Sequence, residues 1–119
     1  MATFDGAPLS GSTNGLPIPV AATSTPGTLL HTAVSGTSSF DELFLYVSNV
    51  TGGAATLTIE FGGVTDPGDL LCKAYSVAAN SAPTPIAPGV RIRNGLEVRA
   101  FSGTASALNI TGSYNRKQA

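Results

Sequence analysis

Phe40-Asp41-Glu42-Leu43-Phe44-Leu45-Tyr46-Val47-Ser48-Asn49-Val50 carries two incompatible signals. Ser39-Phe40-Asp41-Glu42 has the spacing of a helix capping box ahead of an apolar run. The run itself is aromatic and β-branched, and it lacks a helical period. Strand therefore wins. Leu43, Leu45 and Val47 then cover one face of that strand, and Phe44 and Tyr46 cover the other. A strand with one wet side should alternate apolar with polar, so this second apolar face needs a cover: residues 1–27, a loop, or another subunit.

The neighbouring segments read the same way. Thr51-Gly52-Gly53 is a turn, and Ala54–Phe61 follows with Leu57, Ile59 and Phe61 on one side and Thr56, Thr58 and Glu60 on a wet side. Gly62-Gly63 and Asp66-Pro67-Gly68-Asp69 are turns. Thr28–Ser35 and Leu70–Ala78 read as strands. The stretch from Asn80 to Gly89, with three prolines, reads as a loop or irregular edge. Val90 and Ile92 face in and Arg91 and Arg93 face out. Asn94-Gly95 is the preferred pair for a tight hairpin turn. Leu96, Val98 and Ala100 alternate with Glu97, Arg99 and Phe101. Leu108, Ile110, Gly112 and Tyr114 alternate with Asn109, Thr111 and Ser113. Short strands at this spacing, separated by Gly/Pro turns, predict an all-β protein: an antiparallel β-sandwich, jelly-roll-like.

Residues 1–27 differ from the rest. Fifteen of them are Gly, Pro, Ser or Thr, and Pro17 and Pro19 flank Ile18. They read as an extended N-terminal arm with a short edge strand at Ile18–Ala22, attached to a sandwich domain spanning 28–119. The arm is expected to be held down by its own domain or by a neighbour.

At 119 residues the chain is one domain, and size scaling gives roughly 6,000 Å² of surface for a folded monomer. Gly and Pro make up 22 residues while charged residues are only 11%, which excludes a coiled coil and a highly charged disordered chain. The net charge of −1 gives no basic footprint for nucleic acid. The charges are unevenly placed. Residues 1–69 hold six acids and no Lys or Arg, and residues 70–119 hold all six bases and one acid. Such a chain is either polar by chance or attracted end to end, to its own copies or to a partner of matching polarity. No apolar stretch approaches 18 residues, and Met1–Asp5 lacks a basic-then-apolar leader, so the expected site of synthesis is the cytoplasm.

The motifs give no catalytic constellation. There is no phosphate loop, GxSxG, CxxC or HExxH. His31, the single histidine, sits mid-strand and reads as a packing or edge residue, and Cys72, the single cysteine, reads as a small packed hydrophobe. Asp41 and Glu42 point to opposite faces of a strand, so they are no glycosidase pair. Asp66 and Asp69 flank a plain turn in preference to a calcium site. Two N-glycosylation patterns, at Asn49 and Asn109, are chance matches if no leader is present.

Leu30-His31-Thr32-Ala33, Asp41-Glu42-Leu43-Phe44-Leu45-Tyr46-Val47-Ser48-Asn49, Leu57-Thr58-Ile59-Glu60-Phe61-Gly62-Gly63, Pro88-Gly89, Leu96-Glu97-Val98-Arg99-Ala100 and the closing Leu108-Asn109-Ile110-Thr111-Gly112-Ser113-Tyr114-Asn115-Arg116 occur in that order. Over residues 28–116 this order resembles small β-sandwich virion proteins of tailed bacteriophages, most of all capsid decoration (cement) proteins. The resemblance implies a non-enzymatic structural virion protein, made in the host cytoplasm. It would bind the outer face of an assembled shell of major capsid protein, often as a homotrimer, with no cofactor, metal, nucleic acid, membrane or small-molecule substrate. The competing expectation is a tail or fibre module that binds a host-surface receptor or glycan. The loops at Thr51–Ala54, Gly62–Asp69 and Asn80–Gly89 hold no aromatic residue, which favours decoration. On physical grounds the interface is expected at Phe4, Leu16, Ile18, Phe44, Tyr46, Arg91, Arg93, Arg99 and Arg116.

Overall fold

A computed structural model describes residues 3–118 along the backbone and 6–118 with their side chains. Two antiparallel sheets pack face to face, with no helix among the described residues. The strands are β1 (Thr3–Pro8), β2 (Ile18–Pro19), β3 (Thr28–Thr32), β4 (Phe40–Asn49), β5 (Ala55–Phe61), β6 (Leu70–Val77), β7 (Ser81–Ile92), β8 (Glu97–Ser102) and β9 (Leu108–Gln118). The first sheet runs β1-β9-β4-β7, with β2 also on β9, and the second runs β3-β8-β5-β6. Counting β1 and β2 as one interrupted strand, this is the strand order of a jelly roll, as the alternation predicts.

The core lies between the sheets. It is built from the inward rows of the central strands: Leu43, Leu45 and Val47 on β4, Leu57 and Ile59 on β5, Val98 and Ala100 on β8, and Leu108 and Ile110 on β9. Residues before β3 belong to the same body. β1 extends the first sheet along β9 from Thr3↔Gln118 to Pro8↔Ser113, and Ile18 pairs with Ile110. Leu9, Ile18 and Val20 are buried in the core. The total accessible surface is 5959 Å², close to the value expected of a monomer with no projecting arm.

Three local expectations are corrected. The proline-bearing stretch after Asn80 is strand β7, not a loop. It lies at the sheet edge on β4, where missing N–H groups cost no ladder bonds, and register shifts after Leu43, Leu45 and Val47 absorb the irregular backbone. Asn94-Gly95 has the positive φ values of its turn type, 68° and 70°. It makes no hairpin, because β7 and β8 lie in different sheets, and the turn carries the chain across the sandwich.

The third correction concerns the expected wet side of β5, where Thr56 is exposed but Thr58 and Glu60 are covered. Glu60 is buried and accepts bonds from Thr25 Oγ1 (2.5 Å) and the Gly27 amide (2.7 Å). Thr58, also buried, accepts from the Ala74 amide at 3.0 Å. The segment before β3 is thus bonded to the outer side of the second sheet and to the edge of the first. It does not lie over Phe44 and Tyr46. Part of the uneven charge is paired within the molecule: Asp41 with Arg116, Glu42 with Arg91 and Asp66 with Lys73, each an early acid on a late base.

Candidate docking site

Strand β4 alternates cleanly. Asp41, Leu43, Leu45, Val47 and Asn49 are buried, while Phe40, Glu42, Phe44, Tyr46 and Ser48 face outward. Antiparallel register brings the neighbours of that outer row together. Phe44 lies opposite Pro88 on β7 and Ser113 on β9, and Tyr46 lies opposite Pro85 and Thr111. Phe44 is half-buried, in reach of Gly89, whose φ of +95° lets the edge strand bulge there. Tyr46 is 36% exposed. The result is a shallow apolar stripe of Phe44, Tyr46, Pro85 and Pro88, bordered by Ser113 and Thr111. These side chains lose little rotamer freedom on contact, which suits a flat protein surface. Pro85 and Pro88 were not expected at a docking face. Once the segment is seen as a strand, their spacing against Phe44 and Tyr46 is the signal.

The other expected interface residues are dispersed. Arg91 stands beside the stripe, with its guanidinium 4.5 Å above the Phe40 ring and Nε 3.6 Å from Glu42 Oε2. Arg93 is exposed and donates to the Thr37 carbonyl at 2.6 Å. Leu16 is 60% exposed on the turn after β1, far along the chain from β4. Ile18 points into the core. Arg99 is spent on the Gly27 carbonyl and Glu97, each at 3.0 Å. Phe4 lies in β1 opposite Lys117, and its side chain is outside the described residues.

Arg116 belongs to a buried network that connects four elements. Its Nε and Nη2 donate to Asp41 Oδ1 (2.6 Å) and Oδ2 (2.9 Å). His31 Nε2 lies 2.7 Å from Asp41 Oδ2, and the Ser10 amide donates to His31 Nδ1 at 3.1 Å. The Val34 amide donates to Asp41 as well. A backbone amide can only donate, so Nδ1 is an acceptor and the proton sits on Nε2, facing the carboxylate. The imidazole is neutral. Burial, with the nearby Arg116 charge, lowers the His31 pKa below its ordinary value against the opposing pull of the Asp41 carboxylate. Burial alone would raise Asp41, but the bonds from Arg116 and His31 outweigh it and hold the carboxyl below the usual range.

Both imidazole nitrogens are thus engaged, and Ser10 Oγ accepts from the Thr32 amide, not from His31. The trio does not have the geometry of an activated serine. It ties Ser10 to β3, β4 and β9. Its sequence signal was slight: an Asp and an Arg on the inward rows of strands otherwise read as apolar.

The remaining candidates are structural. Cys72 is half-buried, its pKa raised by burial, with Sγ 3.7 Å from the Leu57 carbonyl. Asp66 pairs with Lys73, and Asp69 accepts from the Thr65 amide. Asn49 bonds Gly53, Val77 and Thr51 and so fixes the turn between β4 and β5. No group of metal-ligating side chains, and no buried side-chain polar atom without a partner, occurs among the described residues. No helix there is long and apolar enough to cross a membrane. No protein-family model matches the chain, and no curated protein matches it.

Proposed function

We propose that this chain is a structural virion protein of a tailed bacteriophage, one that docks on the outside of an assembled shell of major capsid protein and stabilises it. The observation that carries the reading is the outer face of the first sheet. Phe44, Tyr46, Pro85 and Pro88 form an apolar stripe on a rigid four-strand surface, and no segment of the described chain lies over it. A protein meets such a face at low entropic cost. The jelly-roll order is shared with viral shell and lectin domains, an analogy of fold alone. Avidity from a homotrimer would compensate for a small contact per copy.

The test is the protein's abundance and place on purified particles. Decoration gives hundreds of copies, on the head. A dozen or fewer copies, at the tail or neck, would support the fibre module instead.

A further inference from the structure

We propose that the groove at one end of the sandwich is a binding site for an acidic peptide segment carrying an apolar side chain. The connections 33–39, 62–69 and 93–96 meet at this end, and the groove they frame, open to solvent, has a volume of about 700 Å³. That volume lies within the range of ligand pockets. Phe61, Ile92 and Leu96 supply apolar lining, and Leu96 is 43% exposed although it adjoins the core strands. Phe40, Arg91 and Arg93 also line it, and none of its lining side chains is acidic.

The framing connections are bonded to one another. Ala33 and Leu96, Val34 and Gly95, and Gly62 and Glu97 are joined by backbone bonds of 2.9–3.0 Å. The site is therefore preformed, and binding there does not pay for ordering loops.

The charge selects the occupant. Arg91 is held over Phe40 on one side, with only its Nε turned to Glu42 at 3.6 Å, and Lys117 Nζ lies 5.9 Å from the same ring. Arg93 is tethered to Thr37 by one of the five N–H donors a guanidinium carries. Two oriented guanidinium forks beside an apolar floor fit a carboxylate next to a Leu or Phe side chain. A nucleic acid fits worse, because three cations beside Glu42 make no basic track. The inference does not rest on shell binding, since the peptide is tested as a free ligand.

The experiment titrates the ¹⁵N-labelled full chain with three probes: the blocked peptide GDLEFDG, the same peptide with Asn and Gln in place of Asp and Glu, and a ten-residue oligothymidylate. The acidic peptide is expected to shift the amides of Thr37, Gly62, Asn94 and Leu96, and to bind about tenfold or more tightly than the neutral peptide. Its affinity should fall as salt rises. The double variant Arg91→Gln/Arg93→Gln should reduce binding of the acidic peptide to that of the neutral one. The proposal is overturned if the two peptides bind equally, if neither binds, if the shifts fall elsewhere, or if the oligonucleotide binds more tightly. It is also overturned if the same amides respond to protein concentration alone, which would assign the groove to a second copy.

Discussion

Asp41 is fully buried on the inward row of β4, between Arg116 and His31. Replacing it with Asn removes the carboxylate charge that Arg116 and His31 both meet. Breaking a buried pair costs about 3 kcal/mol or more, so Asp41→Asn should lower the urea midpoint strongly with little change in slope. The same network sets the response to acid. His31 is neutral when folded, with its pKa lowered, so below its ordinary value near 6.5 the unfolded chain binds the extra proton first. Stability contributed by the neutral ring is full above that value and is lost as pH falls below it. Asp41 adds a second loss below its ordinary value of 3.8, again because its folded pKa is depressed. Denaturation curves from pH 8 to pH 4 should show the first loss, and His31→Gln should remove it. A stability flat across that range in the native protein would refute the neutral, bonded imidazole. Gly112 is a separate residue-scale constraint: a methyl added there runs into the Phe44 carbonyl oxygen. Gly112→Ala should therefore destabilise the β4–β9 pairing.

At the scale of elements, the residues before β3 are the most informative. Their Gly, Pro, Ser and Thr content reads as an arm, because composition reports how little such a segment buries by itself. It does not report that Leu9, Ile18 and Val20 fill the core from one edge, or that Glu60 reaches out to hold Thr25 and Gly27. Removing residues 1–22 takes away all three apolar side chains. At about 2–5 kcal/mol for each large buried aliphatic group, that loss is comparable with a small domain's whole stability. The truncated chain should fail to show a cooperative thermal transition, and a truncated chain with native Tm would contradict the packing described. The strands of β4, β5, β8 and β9 were legible because period-2 alternation is strong where both sheet faces differ. Strand β7 was not, since its prolines carry a loop signal that an edge position neutralises. The Asn94-Gly95 pair specified its local φ values correctly, but a turn's chemistry does not say which sheet the next strand joins.

For the whole molecule, the two sheets leave one face of β4 with aromatic side chains turned to solvent, and that face was legible from Phe44 and Tyr46 alone. Its proline half, the end groove and the His31–Asp41–Arg116 network were not, because each depends on which strands become neighbours. Two of the four edge strands of the sandwich are protected against open-ended strand addition. β7 is blunted by prolines, and β6 is interrupted by register shifts around Ala74, whose φ is 49°. The most direct test is co-sedimentation with purified shells that lack this protein, comparing the native chain with Phe44→Thr/Tyr46→Asp. Both substitutions are outward-facing, so an unchanged thermal transition serves as the control for folding. The account predicts saturable binding of the native chain and at least a tenfold loss for the variant, on the scale of a truncated hot spot. Equal binding by the two proteins, or none by the native chain, would contradict it.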